Sequence, residues 1–167
     1  KAEPPAPLRI HLGIGVSKGE RMDFALQKAV ELGAFAITPL FTERSVVRLA
    51  GDRLSKRESH WRAVVVAACE QSGRRRLPLL HGIETLDAWL DVAHPVPLLL
   101  DHRSDTPLPR LASPGDELTL LVGPEGGLAP GERARALAAG FIGVRIGPRI
   151  LRTETAPLAA LAVAQAL

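Results

Sequence analysis

Residues 8–42 read LRIHLGIGVSKGERMDFALQKAVELGAFAITPLFT, and the spacing of their apolar residues changes twice. Leu8–Val16 is a short apolar run of strand length. Ser17-Lys18-Gly19-Glu20 has the Ser-x-x-Glu form of a capping box, which predicts a helix start. Over about Glu20–Leu32, Met22, Ala25, Leu26, Ala29 and Val30 recur at helical spacing and mark one buried face. Gly33 is a natural C-terminal stop. Ala34–Thr42 is again short and apolar and reads as a second strand. Strand, helix and strand with short links form a parallel crossover unit.

The rest of the chain extends this alternation. Ser55-Lys56-Arg57-Glu58 forms a second capping box and predicts a helix through about Ser72, with Trp61, Val64, Val65, Ala68 and Cys69 as its stripe. Gly73 ends it, and a short strand near Leu77–Leu80 and a helix near Thr85–Ala93 follow. Val96–Asp101 and Glu117–Val122 read as buried strands on either side of a proline-containing loop at 103–116. Gly123–Gly127 is a glycine-rich turn, Pro130–Ala139 a helix and Phe141–Ile146 a strand. Thr155–Leu167 is a last helix, apolar on most sides, with Thr155 as N-cap and Pro157 in the first turn. No internal repeat is visible. The expected fold is an α/β domain with a mostly parallel sheet flanked by helices.

Composition narrows the classes. The 167 residues are 46% hydrophobic and 23% charged, enough for one globular domain with a sizeable core. No apolar run reaches the length of a transmembrane helix, and the opening KAEPPAPLRI has no signal core. Cys69 is the only cysteine, so an intrachain disulfide and a multi-thiolate zinc site are excluded, and a reducing, cytoplasmic setting is expected. The five histidines show no metal-ligand spacing, and no metal is expected. Residues 1–76 carry 14 Lys/Arg against 8 Asp/Glu, whereas residues 77–167 carry 7 against 10. An anionic partner suits the first half, although a solvated Arg-rich surface gives the same count.

Four segments carry candidate chemistry. Leu121-Val122-Gly123-Pro124-Glu125-Gly126-Gly127 lies just past a strand's C-terminal end, where ligands bind in open α/β sheets. No Lys follows the glycines and the spacing is not G-x-G-x-x-G, so a phosphate cradle is poorly supported. Glu125 favours a neutral or cationic ligand; a plain tight turn is the alternative. Ile146-Gly147-Pro148-Arg149-Ile150-Leu151-Arg152-Thr153-Glu154 places arginines and a glutamate between a turn and a buried helix, where charge is costly unless paired or used. Gln71 and Arg74 at a helix end, and Lys18 and Arg21 at a helix start, can contact phosphates or lie in solvent.

Taken together, KGERMDFALQKAVELGAFAITPLFTERSV, ACEQSGR, LLVGPEGGL and IGPRILRTETAPLAAL resemble the small-subunit ribosomal RNA uridine N3-methyltransferases, the RsmE type of the SPOUT superfamily. The resemblance runs from about Lys18 to the end of the chain, and GPEGG followed by GPRILRTETA is its most specific part. It implies an S-adenosylmethionine-dependent enzyme acting on N3 of a uridine in 16S rRNA, a C-terminal deep trefoil knot and a homodimer. It implies a cofactor pocket of Leu100, Val122, Gly123, Pro124, Glu125, Gly126, Gly127, Ile146, Gly147, Ile150, Leu151 and Arg152. Arg152 would stabilise the charge of the deprotonated base, and Glu154 would act as base or fix the loop. Lys18, Arg21, Gln71 and Arg74 would contact RNA. Residues 1–7 would be the linker from an N-terminal PUA-like domain, and 8–167 the catalytic domain. A related knotted methyltransferase for another RNA position, or a non-catalytic RNA-binding or ribosome-assembly module, remain as alternatives.

Overall fold

A computed structural model describes Glu3 and residues 8–45, 49–108 and 117–166. Strand β1 (Arg9–Gly15) leads through α1 (Glu20–Glu31) to β2 (Ala36–Phe41), and β1 and β2 pair in parallel. The long helix α2 (Gly51–Ser72) is followed by the short strands β3 (Leu79–Leu80) and β4 (Glu84–Thr85) and the short helix α3 (Leu86–Leu90). Then come β5 (Pro97–Leu100), β6 (Glu117–Val122), α4 (Pro130–Ala138), β7 (Ile142–Val144) and α5 (Thr155–Ala166). The sheet order is β3-β2-β1-β6-β5-β7, with β4 also on β2, and every described pair is parallel.

Parallel strands covered on both faces read as apolar runs, and their alternate residues supply two cores. Ile10, Leu12, Ile14, Leu98 and Leu120 pack with α1, α2 and α5 residues such as Leu26, Trp61 and Leu161. Their neighbours Leu99 and Leu121 point the other way, onto Trp89, Ala136 and Phe141 of the opposite layer. The five residues expected on the inner face of α1 are all buried, as are Trp61, Val65, Ala68 and Cys69 of α2, with Val64 partly so. Burial pushes the Cys69 thiol up, against the pull of Arg74, as suits a packed core thiol.

Both capping boxes fail. The N-cap of α1 is Gly19, at φ 56°, and no side chain caps the helix. The chain turns through this left-handed glycine, while Ser17 is buried directly after β1. Helix α2 begins at Gly51, so Ser55 lies inside it and its hydroxyl donates back to the Gly51 carbonyl at 3.4 Å. Strand β4 has no counterpart in the sequence reading, and the helix expected near Thr85–Ala93 is shorter, running over Leu86–Leu90. Thr85 caps that helix, accepting from the Ala88 N–H at 3.2 Å. Thr155 is the first residue of α5 rather than its cap. Most of the 1–7 segment and of the 103–116 loop lies outside the described residues.

Candidate active site

Strand order reverses between β1 and β6, because the chain runs outward from β1 to β2 and β3 on one side and through β6, β5 and β7 on the other. Such a switch point leaves a crevice beyond the strands' C-terminal ends. The 123–127 turn leaves β6 there. Gly15, at the end of β1, makes room for it: a Cβ at Gly15 would lie 2.6 Å from the Pro124 ring nitrogen and Cδ.

Three segments close around a cavity of about 460 Å³: the end of β5 with Asp101–Arg103, the 123–127 turn, and Ile150–Thr153 from beyond β7. This volume suits a small organic ligand. Leu100, Val122, Gly123, Pro124, Glu125, Gly126, Gly127, Ile150, Leu151 and Arg152 all line it. Ile146 lines a smaller space of about 90 Å³ that shares Leu100, Asp101, Ile150 and Leu151 with the larger one. Gly147 lines neither, nor does Glu154; Thr153 occupies the wall beside Arg152.

The sequence reading missed Asp101, Arg103, Leu128 and Arg133 on the same wall. Asp101 is buried, and its carboxylate accepts from Arg133 Nε at 2.5 Å and from the Arg103 N–H at 3.0 Å. Burial alone would raise its pKa, but the Arg133 bond, the Arg103 N–H and both positive charges outweigh it. The carboxyl is held below the usual aspartate value. Its position as the last residue of VPLLLD, at a strand's C-terminal end, was a usable signal. Among the described residues Glu125 Oε2 is buried without a hydrogen-bond partner, and it belongs to a residue of the cavity wall. A lone carboxylate oxygen there calls for a donor or a cation from the ligand.

The expected RNA contacts divide. Lys18, Arg21 and Gln71 are exposed. Arg74 is largely engaged within the chain: its side chain is 15% exposed and faces Glu3 at 3.6 Å. Its Nη1 donates to the Val30 and Ala34 carbonyls at 2.9 and 3.1 Å. It braces the end of α2 against the end of α1, where carbonyls left over by α1 need donors.

The pattern for the family described as "RNA methyltransferase domain" matches residues 4–165. The chain belongs to this RNA methyltransferase domain family. A ribosomal RNA small subunit methyltransferase E from Buchnera aphidicola (subspecies Schizaphis graminum) is 36% identical over 162 residues, covering 96% of this chain and 66% of the relative. The crystal structure of a ribosomal RNA small subunit methyltransferase E from Neisseria gonorrhoeae bound to S-adenosyl methionine is 45% identical, with a TM-score of 0.89. That match covers 93% of this chain and 65% of the other. A methyltransferase structure from Legionella pneumophila in complex with S-adenosylmethionine is 38% identical, at a TM-score of 0.87, over 96% of this chain and 66% of that one. The chain thus spans just under two thirds of these relatives. The SpoU methyltransferase AviRb from Streptomyces viridochromogenes, 15% identical at a TM-score of 0.60, over 97% of this chain and 60% of the other, shares the fold.

Proposed function

We propose that the chain is the catalytic domain of an S-adenosylmethionine-dependent methyltransferase acting on N3 of a uridine in 16S rRNA. The observation that carries this reading is the meeting of the 123–127 and 150–153 bends around one cavity. The residues present fit the donor. Bare glycine backbone at 123, 126 and 127 lets a ligand approach closely, Leu100, Ile150 and Leu151 offer apolar cover, and the orphaned Glu125 oxygen suits a cationic molecule. When bound, S-adenosylmethionine supplies an activated methyl group on a positive sulfonium.

Methylation at N3 requires loss of the imide proton, and negative charge spreads onto the neighbouring carbonyl oxygens. Arg152, exposed on the cavity wall, meets that charge. Glu154 stands off the wall and reaches the proton through water. Lys18, Arg21 and Gln71 contact the RNA, while Arg74 holds the frame on which Gln71 sits.

The knot, the homodimer, the cytoplasmic setting and the division into a 1–7 linker and an 8–167 catalytic domain are part of this proposal. The knot is supported by the path of the chain after β7. Arg145 pairs with the 106–108 segment, through Arg145 N–H to the Thr106 carbonyl at 2.9 Å and Leu108 N–H to the Arg145 carbonyl at 3.0 Å. The chain then returns to the sheet centre, where the Gln165 amide meets Leu8 N–H and C=O, both at 3.3 Å. The dimer rests on the likeness to the family, and Ile150, 74% exposed beside the cavity, is one apolar side chain that such a partner would cover. Among the described residues no helix is long and apolar enough to cross a membrane.

Mass mapping of 16S rRNA treated with the protein and S-adenosylmethionine tests the reading. An N3-methylated uridine is expected. A methyl group on another base or position would move the chain to a related enzyme. Absence of both methylation and donor binding by calorimetry would leave a non-catalytic module.

A further inference from the structure

The turn that follows β2 reaches over β1 and grips the 123–127 turn of β6, although β2 and β6 are not neighbours in the sheet. Residues 42–45 close on themselves: Ser45 N–H donates to the Thr42 carbonyl at 3.1 Å, and the Thr42 and Ser45 hydroxyls lie 2.9 Å apart. From this rigid turn Arg44 Nη1 donates to the Gly126 carbonyl at 3.0 Å. Behind it, the buried Glu132 carboxylate accepts from Glu43 N–H at 3.0 Å and from Ala129 N–H at 3.1 Å. The C-terminal half of the cavity turn is therefore tied to the 42–45 turn, directly at Gly126 and through Glu132 just beyond it.

The Arg44 bond acts on one particular peptide group. The Gly126–Gly127 peptide has its carbonyl on Arg44, and its N–H donates to the Pro124 carbonyl at 2.8 Å. Both ends of that peptide are fixed, and with them its plane. Gly126 also lies flat against the arginine. A Cβ there would sit 3.4 Å from Arg44 Cβ and 3.6 Å from Cδ, ordinary contact distances that place the arginine stem alongside this position. Free rotation of this glycine pair would otherwise spread the turn over many shapes, and each ligand would have to select one.

We propose that Arg44 is a positioning residue for the methyl donor: through the Gly126 carbonyl it holds the 123–127 turn in its binding shape. It does not line the 460 Å³ cavity and is given no role in the transfer itself. The inference rests on the methyl-donor reading of that cavity, so one readout is chosen that needs no donor.

Amide hydrogen exchange on the free protein provides it. In Arg44→Ala, the Gly127 amide is expected to exchange at least about fivefold faster, as befits loss of one charge-assisted bond, with core amides of β1 and β6 unchanged. Exchange within twofold of the parent overturns the proposal whether or not the cavity binds S-adenosylmethionine. Calorimetry is the second readout. The donor dissociation constant is expected to rise about fivefold in Arg44→Ala, and turnover at saturating donor is expected to stay within twofold. Arg44→Lys, which keeps a donor near Gly126, is expected to recover part of the loss. An unchanged dissociation constant, or a fall in turnover that saturating donor does not repair, overturns the positioning role. If the parent chain binds no S-adenosylmethionine while the exchange effect is present, the fault lies in the ligand assigned to the cavity and not in the Arg44 brace.

Discussion

Arg152 and Asp101 share one cavity wall and do opposite things. The Arg152 side chain is exposed and has no partner among the described hydrogen bonds and ion pairs, which leaves its charge free for the role proposed for it. Arg152→Ala is expected to lower methyl transfer by at least a hundredfold while S-adenosylmethionine binding stays measurable by calorimetry. Near-normal turnover would remove the charge-stabilising role. Asp101 is spent on Arg133, and Asp101→Asn is expected to cost about 1–2 kcal/mol at neutral pH, discounted because Arg133 is a third exposed. The folded carboxyl is depressed, so its contribution is present above the ordinary aspartate value of about 4 and is lost as pH falls through the lower folded value. Urea unfolding across that range should show a steeper acid loss in the parent than in Asp101→Asn. Distance along the chain decides which of these residues sequence could reveal. Arg152 stands inside a local, glycine-led motif. Asp101 and Arg44 take their meaning from partners 32 and 82 positions away, which no local pattern encodes.

Helix bodies and buried strands were legible because burial imposes a period on the sequence, as in Met22, Ala25, Leu26, Ala29 and Val30. The starts at Glu20, Pro130 and Thr155 were legible too, but the start of α2 and both capping boxes were not, because Ser-x-x-Glu is a local preference that tertiary constraints override. Ser17 is committed to the interior after β1, and the left-handed Gly19 takes the turn instead. Strand β4 is two residues of edge pairing and carries no period at all. The end of β1 makes a sharper demand. Gly15→Ala would put a methyl 2.6 Å from Pro124, so either the strand end or the 123–127 turn must shift. A loss of about 1–3 kcal/mol in thermal unfolding, with weaker donor binding, is expected. An undiminished affinity would mean that the turn is free to move. At the other end of β1, burial lowers the His11 pKa despite Glu117 at 3.6 Å. Its charging opposes folding, so stability is present above the ordinary histidine value of about 6.5 and falls as pH drops below it. His11→Gln should flatten that part of the stability profile, and an unchanged slope would assign it elsewhere.

The alternation of strands and helices announced a parallel sheet, but not its order. That order depends on which strand pairs β1 on its free side, and β6 arrives there from more than a hundred residues away. The side-by-side placement of β6, β5 and β7 is nevertheless what turns two separate bends into one cavity. Their contents could be read in the sequence as glycine-rich and charged; their meeting could not. The same geometry leaves Ile150 open at the cavity rim, and sedimentation of the purified chain is expected to show a dimer. A monomer at every accessible concentration would overturn the proposed dimer.

The most direct test is a crystal structure of the chain grown with S-adenosylmethionine. One donor molecule is expected in the cavity, touching main chain of Gly123–Gly127 and of Ile150–Arg152 together, with its positive end toward Glu125. A donor held by only one of these bends, or a cavity that stays free of it at saturating concentration, would contradict the account.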